Sequence, residues 1–90
     1  MIIEIYGRIN CPFCTRTKRL LSEAGYKFSY YDITNDGVIR AELLARNPNA
    51  KTVPQIFVGE LLIGGFEELV EVQKNGLLEQ VIGGFYVAKD

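Results

Sequence analysis

The chain has 90 residues, 48% apolar and 23% charged, a composition typical of one small globular domain and not of a disordered or fibrous protein. No apolar run approaches the roughly 20 residues that a helix needs to span a bilayer, so we expect no membrane association. The net charge of −1 argues against nucleic acid as a partner. There is no histidine, which excludes catalytic pairs and metal sites that depend on imidazole.

Hydrophobic periodicity and turn residues divide the chain into elements ordered βαβα and then ββα, followed by a short helix. Pro12 suits the first turn of a helix, with Cys11 as its N-cap and Gly25 as its end. Asp36 or Asn35 caps the second helix. The predicted strands cover residues 2–6, 27–32, 55–58 and 61–63, and the predicted helices cover residues 12–24, 36–46, 66–75 and 77–82.

This order predicts an α/β fold with a four-stranded mixed sheet flanked by helices. The βαβ half requires a parallel pair of strands joined by a right-handed crossover, and the ββα half adds a hairpin to the same sheet. Gly59-Glu60 is a two-residue turn with glycine first, which favours a type II′ hairpin. We expect a single domain over residues 1–90, with 83–90 as a C-terminal tail, and a monomer.

The cysteines are Cys11 and Cys14. Two thiols cannot complete a four-ligand structural zinc site in one chain, and a disulfide between them closes too short a loop to stabilise the fold much. The N-terminal segment lacks the features of a signal peptide, so we expect structure from the first residues and a cytoplasmic location, where thiols stay reduced. In that setting the spacing indicates redox chemistry. A zinc site shared with another chain and two inert buried cysteines are the alternatives.

The predicted helix start gives the two thiols different roles. At the N-cap, the free N–H groups of the first turn and the helix dipole favour a thiolate, so the pKa of Cys11 should fall below the free value of about 8.5. Cys14 lies one turn inside the helix and is better placed to resolve a mixed disulfide than to attack one. Arg8, in the loop before Cys11, can reach the thiolate or an anionic substrate. The other cations of this stretch are better explained as the solvated face of the helix, and they are Arg16, Lys18 and Arg19.

Three segments together resemble the dithiol glutaredoxins, most of all their small bacterial forms. They are Cys11-Pro12-Phe13-Cys14 after the first strand, Thr52-Val53-Pro54 before the third strand and Gly64-Gly65 before the third helix. The resemblance covers about residues 1–82. It implies a thioredoxin-like fold, no metal, no tightly bound cofactor, and glutathione as the reducing co-substrate.

The resemblance also implies roles for the site residues. Cys11 is then the nucleophile and Cys14 the resolving thiol. Val53 pairs with glutathione through its backbone, beside a cis Pro54, although an X–Pro bond taken alone would be predicted trans. An anion site for the γ-glutamyl end lies at the start of the third helix, where a plain tight turn is the alternative. The residues implied to contact glutathione are Arg8, Phe13, Thr52, Val53, Pro54, Gly65, Phe66 and Glu67.

The chain departs from the glutaredoxin pattern at several of these positions. Phe13 replaces the usual tyrosine, which removes a hydroxyl from the rim of the site, and Arg8 replaces the usual lysine. Glu67 and Glu68 stand where the family often has serine or aspartate, which puts the contact to the glutathione ammonium in doubt. Ala41 stands where the family offers a polar side chain from the second helix, and its neighbour Arg40 is assigned no role.

The resemblance implies a glutathione-dependent oxidoreductase that reduces protein disulfides and glutathionylated proteins, with ribonucleotide reductase as a further electron acceptor. A second hypothesis is a redoxin served by thioredoxin reductase, against which Pro12-Phe13 and the lack of tryptophan argue. A third is an iron–sulfur carrier that binds a cluster between two chains through Cys11 and glutathione, against which Pro12 argues. Visible absorption of the purified protein would separate the third hypothesis from the other two.

Overall fold

A four-stranded mixed sheet with helices on both faces forms the fold, in a computed structural model that describes residues 1–83. The strands are β1 (Ile3–Gly7), β2 (Phe28–Asp32), β3 (Gln55–Val58) and β4 (Leu61–Gly64), and the helices are α1 (Pro12–Glu23), α2 (Gly37–Arg46), α3 (Phe66–Lys74) and α4 (Leu77–Ile82). Every predicted element is present, with ends that differ by one residue at most. The predicted tail lies outside the described residues, except for Gly83, which caps α4. Within residues 1–83, no helix has the length and apolar character needed to cross a membrane.

The strands are ordered β2-β1-β3-β4, so β1 occupies an interior position. β1 is parallel to β2 and antiparallel to β3, and β3 is antiparallel to β4. The predicted mixed sheet, with a parallel βαβ pair and an added hairpin, is therefore confirmed. In the hairpin Val58 pairs with Leu61 across a turn that Gly59 opens at a φ of 58°, a conformation that favours glycine.

Alternation along the strands sends apolar side chains to both faces of the sheet. On one face, Ile3 and Ile5 of β1 pack with Leu21 of α1 and Leu69 of α3 in the larger of two buried clusters. The other face carries a smaller cluster beneath α2, made of Tyr6, Ile33, Leu43 and Phe57. The larger cluster therefore holds α1, and the cysteines at its start, against the centre of the sheet.

Side chains cap the first two helices at the residues that the sequence indicated. Cys11 is the N-cap of α1, with an extended backbone, and its sulfur accepts a hydrogen bond from the N–H of Cys14. The Asp36 carboxylate caps α2 by accepting hydrogen bonds from the N–H groups of Val38 and Ile39, each at 3.0 Å. Local sequence therefore fixes where α1 and its two cysteines begin.

Candidate active site

The two cysteines lie at the N-terminal end of α1 and form a disulfide in this structure. Their Cα atoms are 5.2 Å apart, because positions i and i+3 lie on the same face of a helix. The exposed fraction of Cys11 is 7% and that of Cys14 is 1%. Cys11 is thus the more accessible of the two, as expected of an attacking thiol.

The surroundings of the Cys11 sulfur favour negative charge. Its Sγ accepts the N–H of Cys14 at 3.1 Å, and the first turn of α1 contains no acidic residue. Donors of this kind at a helix N-terminus stabilise a thiolate relative to a thiol. Because the two sulfurs are bonded to each other here, the lowered pKa of reduced Cys11 stays a prediction.

The segment before β3 borders Cys11 from the sheet. The Val53–Pro54 peptide bond is cis, as the resemblance implied. The Val53 carbonyl oxygen lies 3.9 Å from the Cys11 Sγ, and Pro54 is buried. The backbone of Val53 is therefore next to the reacting sulfur.

A cavity of about 290 Å³ brings together seven of the eight residues predicted to contact glutathione. Its lining residues are Phe13, Thr52, Val53, Pro54, Gly65, Phe66, Glu67 and Glu68. The rings of Phe13 and Phe66 lie with their centroids 5.8 Å apart, and the Arg16 guanidinium lies 5.1 Å from the centroid of Phe13. We call this space the aromatic cavity. Aromatic side chains dominate its walls, and Glu67 and Glu68 line it beside the first turn of α3, where backbone N–H groups are concentrated.

The first turn of α3 is partly occupied by its own side chain. Glu68 reaches back, and its Oε1 accepts the N–H of Gly65, the N-cap residue, at 2.8 Å. Within residues 1–83, the N–H groups of Phe66 and Glu67 have no hydrogen-bond acceptor. A bound carboxylate would therefore use those two N–H groups first and would reach Gly65 only by displacing Glu68.

Arg8, the eighth predicted residue, does not line the aromatic cavity. It borders a second cavity of about 390 Å³ that has Arg40 and Lys51 on its wall and shares Thr52 and Val53 with the aromatic cavity. We call this second space the cationic cavity. Within residues 1–83, none of its three cations forms an ion pair.

Sequence analysis assigned no role to Arg40 and did not single out Lys51, and the information that places both cations on this wall is tertiary. Arg40 lies one turn into α2 and Lys51 directly precedes Thr52. The position of Lys51 next to the Thr52-Val53-Pro54 segment is a signal that could have indicated it. Arg40 has no such local signal, because only the packing of α2 against the sheet brings it near Arg8.

The loop between β1 and α1 is held by hydrogen bonds to the segment that follows β2. The N–H of Ile33 donates to the carbonyl oxygen of Gly7, and the N–H of Ile9 donates to the Thr34 hydroxyl, each at 2.8 Å. The Thr34 hydroxyl in turn donates to the Asp32 carboxylate, which also accepts the Thr34 N–H. These two hydrogen bonds hold the pKa of Asp32 below its ordinary value, and the bond from the Thr34 side chain has the larger effect.

Comparison with known proteins decides the family. The family model described as Glutaredoxin matches residues 3–63, which is more than half of the chain. The chain belongs to the glutaredoxin family. It is 36% identical over 80 residues to Glutaredoxin 3 of Escherichia coli, in a match that covers 89% of this chain and 95% of that protein. A glutaredoxin of Pseudomonas aeruginosa is also 36% identical, with 89% and 94% covered.

Solved structures of glutaredoxins share the fold. The solution structure of glutaredoxin from Brucella melitensis matches with a TM-score of 0.80 and 32% identity, over 98% of this chain and 95% of that one. A buckwheat glutaredoxin–glutathione complex matches with a TM-score of 0.79 at 24% identity, over 92% of this chain and 77% of that one, a likeness of fold alone. The fold is therefore thioredoxin-like, and the chain is a thiol-disulfide oxidoreductase with a Cys-Pro-Phe-Cys motif.

Proposed function

We propose that the chain uses glutathione to reduce protein disulfides and glutathione mixed disulfides, with Cys11 as nucleophile and Cys14 as resolving thiol. The observation that carries the proposal is that the aromatic and cationic cavities meet at Thr52 and Val53, beside the Cys11 sulfur. Both cavities reach the segment whose Val53 carbonyl oxygen lies 3.9 Å from the Cys11 sulfur, and we treat them together as one glutathione groove. A short extended peptide with a central thiol fits such a groove.

The two ends of the groove match the two ends of glutathione. Glutathione has a carboxylate at each end and an ammonium group at the γ-glutamyl end. The free N–H groups of Phe66 and Glu67 suit the γ-glutamyl carboxylate, and the carboxylates of Glu67 and Glu68 suit the ammonium. The glycyl carboxylate then faces the cationic cavity, where Arg8 replaces the lysine of the family pattern.

Between the two ends, the backbone of Val53 aligns the peptide. Its carbonyl oxygen points toward the region of the Cys11 sulfur, 3.9 Å away, and an extended peptide can pair with it as a short added strand. Backbone pairing fixes the glutathione sulfur next to Cys11 without requiring a particular side chain at position 53. The tilted rings of Phe13 and Phe66 restrict the other side of the groove.

The reaction is thiol–disulfide exchange. The Cys11 thiolate attacks the glutathione sulfur of a mixed disulfide, a Cys11–glutathione disulfide forms, and the protein thiol leaves with the electron pair and takes a proton from water. A second glutathione thiolate then attacks the bound glutathione sulfur, which gives oxidised glutathione and restores the Cys11 thiolate. With a protein disulfide as substrate, the Cys11 thiolate attacks one of its sulfurs and the other leaves as a thiolate. Cys14 then attacks the Cys11 sulfur of this mixed disulfide, the second protein thiolate leaves, and the intramolecular disulfide seen here forms. One glutathione thiolate attacks the Cys11 sulfur and releases Cys14, and a second removes the bound glutathione as oxidised glutathione. Electron donation to ribonucleotide reductase and a cytoplasmic location stay predictions of the resemblance.

The test is reduction of the mixed disulfide of glutathione and 2-mercaptoethanol, with glutathione reductase regenerating glutathione. We expect Cys11→Ser to fall to about 1% of wild-type activity or less, because the nucleophile is lost. Cys14→Ser should keep about half or more, because glutathione can resolve the intermediate.

Arg40→Gln and Lys51→Gln should each raise the KM for the mixed disulfide about threefold, because each removes a cation from the cationic cavity. Lys27→Gln, which lies outside the groove, serves as the matched control.

Two results would overturn the proposal. If the wild-type protein is inert with glutathione but accepts electrons from thioredoxin reductase, the reductant is wrong and the groove has another ligand. If freshly purified protein shows a visible absorption band that disappears in Cys11→Ser, the chain carries an iron–sulfur cluster.

A further inference from the structure

A third cavity, of about 600 Å³, opens on the other side of the α1 N-terminus. It shares no lining residue with the aromatic cavity. The third cavity is lined by Thr15 and Lys18 of α1, and the aromatic cavity by Phe13 of the same helix. Its remaining wall comes from the loop before Cys11 and from Tyr30 on the edge strand β2. Cys11 itself is among its lining residues, and Arg8 lines both this space and the cationic cavity. The third cavity therefore adjoins the glutathione groove at Arg8 and extends from the reactive residue toward β2.

The charges of this third cavity favour an anionic partner. Arg8 and Lys18 lie on its wall, and neither forms an ion pair with any residue between 1 and 83. The Lys18 Nζ lies 4.1 Å from the ring centroid of Tyr30, which keeps the ammonium group beside the cavity. One acid, Asp32, is also on the wall and interacts with the charge of Lys18, so the wall has two cations against one carboxylate.

The shape of the third cavity is set by a close approach between two strands. A Cβ atom on Gly7 would overlap the phenol ring of Tyr30, so glycine at this position lets the ring lie against β1. The Tyr30 hydroxyl is 3.4 Å from the carbonyl oxygen of Arg8 and contacts the loop that leads to Cys11. Ile9 in that loop is 59% exposed and offers an apolar contact at the rim.

Thiol–disulfide exchange requires space for two partners around Cys11. In the attack on a mixed disulfide, the sulfur that is attacked belongs to glutathione and the thiol that leaves belongs to the protein substrate. The glutathione part fills the groove along Val53, so the protein part must approach from another side.

We propose that the third cavity receives the protein side of the mixed disulfide and selects substrates that carry acidic residues next to the glutathionylated cysteine. This inference rests on the proposed function. Lys18 attracts the acidic side chains, Arg8 lies between this cavity and the glutathione groove, and Ile9 packs against an apolar neighbour. The residues named here determine specificity for the partner and do not act on the reacting sulfur atoms.

The test compares two glutathionylated peptides that differ only beside the cysteine, where one has two aspartates and the other two asparagines. In the wild-type protein, kcat/KM should be about fivefold higher for the acidic peptide, because close opposite charges add modestly to encounter and binding. Lys18→Gln should reduce this ratio to about one or two. Arg19→Gln, the next residue on the same helix and outside the cavity, should leave the ratio at its wild-type value.

Three outcomes would overturn the inference. The first is equal kcat/KM for both peptides in the wild-type protein. The second is an equal fall of the kcat/KM ratio between the two peptides in Lys18→Gln and Arg19→Gln, which would mean that the net charge of the protein alone causes the preference. The third is a Lys18→Gln protein that is slow only in the attack of free glutathione on the Cys11–glutathione disulfide. The third cavity would then bind the second glutathione and not the protein substrate. A failure of the proposed function looks different, because neither peptide is then turned over with glutathione at all.

Discussion

At the scale of single residues, Thr34 joins the acid at the end of β2 to the loop before Cys11. Its hydroxyl accepts the N–H of Ile9 and donates to the Asp32 carboxylate, so one oxygen serves two partners. A valine at this position has nearly the same shape and makes neither hydrogen bond. Thr34 is therefore a positioning residue, since it touches neither cysteine and acts through the backbone that places Cys11.

We predict that Thr34→Val loosens the loop and changes the titration of Asp32. Loss of one hydrogen bond of about 1 kcal/mol should make the Ile9 amide exchange about fivefold faster with solvent. The pKa of Asp32 should rise toward its ordinary value, because the hydroxyl that stabilises its charged form is gone. Amide exchange and carboxyl NMR titration measure the two effects separately.

The sign of the pH dependence follows from that lowered pKa. A carboxyl whose pKa is lower in the folded state contributes stability above its unfolded pKa, and this contribution is lost as the pH falls through the folded value. As the pH falls, the free energy of unfolding should therefore decrease less in Thr34→Val than in the wild-type protein. Thr34→Ser keeps the hydroxyl and should behave as wild type. An unchanged Asp32 titration in Thr34→Val would contradict this account.

The parts of the site that sequence could predict are those set by neighbours along the chain. Pro12 and the helical spacing after it fix Cys11 as the N-cap, and the spacing of the two cysteines needs no tertiary information. The cis bond before Pro54 came from the resemblance alone. The roles of Arg40 and Thr34 depend on how separate segments pack, because each meets the active-site loop or groove only in the folded chain.

At the scale of elements, Arg46 at the end of α2 ties this helix to the sheet. Its guanidinium donates to the Glu4 carboxylate at 2.9 Å, the Tyr6 hydroxyl at 3.1 Å and the Gly59 carbonyl oxygen at 2.8 Å, and it stacks 4.0 Å from the centroid of Phe57. Burial acts to lower the pKa of Arg46, but the hydrogen bonds to Tyr6 and Glu4 outweigh it and raise the pKa. One side chain thus joins α2, β1 and the hairpin turn.

We predict that Arg46→Met lowers the free energy of unfolding by about 2 kcal/mol, in the range for hydrogen bonds to charged groups. Methionine keeps the contact with Phe57 but leaves the Glu4 carboxylate without its cation. The figure is moderate because the side chains of Arg46 and Glu4 are still 27% and 25% exposed. Denaturant unfolding at pH 7 measures the change.

Two further variants test the origin of that loss. Glu4→Gln in the Arg46→Met background should recover part of the stability, because it removes the unpaired charge. Arg19→Gln on the exposed surface of α1 is the matched arginine control and should change stability by less than about 0.5 kcal/mol. If Arg46→Met costs no more than this control, α2 is held by its apolar contacts alone.

At the scale of the whole molecule, the charge is distributed unevenly although it nearly cancels. The net charge is −1, but the three cavities and the ring of Phe13 carry five of the ten cations against three of the eleven acids, Asp32, Glu67 and Glu68. These cations are Arg8, Arg16, Lys18, Arg40 and Lys51. A cluster of this kind attracts anionic substrates to the reactive end even when the total charge does not.

We predict that kcat/KM for the glutathione mixed disulfide falls on the order of fivefold between 10 mM and 500 mM salt, because added ions screen this cluster. The control is single-turnover oxidation of the reduced protein by bis(2-hydroxyethyl) disulfide, which has no charge and should show little dependence on salt. Equal salt dependence for both substrates would mean that salt acts on the thiolate itself and not on substrate attraction.

The spacing of the two cysteines has a consequence for how the molecule signals its redox state. Both sulfurs belong to one helical turn, and their Cα atoms lie as close as that turn places them whether or not a bond joins them. We therefore expect reduction and oxidation to change the covalent connection within this single turn and to leave the buried clusters and α2 in the same arrangement. In this sense we expect the protein to act as a rigid carrier whose core keeps its shape through each cycle. A partner that must tell the oxidised carrier from the reduced one has to touch the first turn of α1, because the distant surfaces look the same in both.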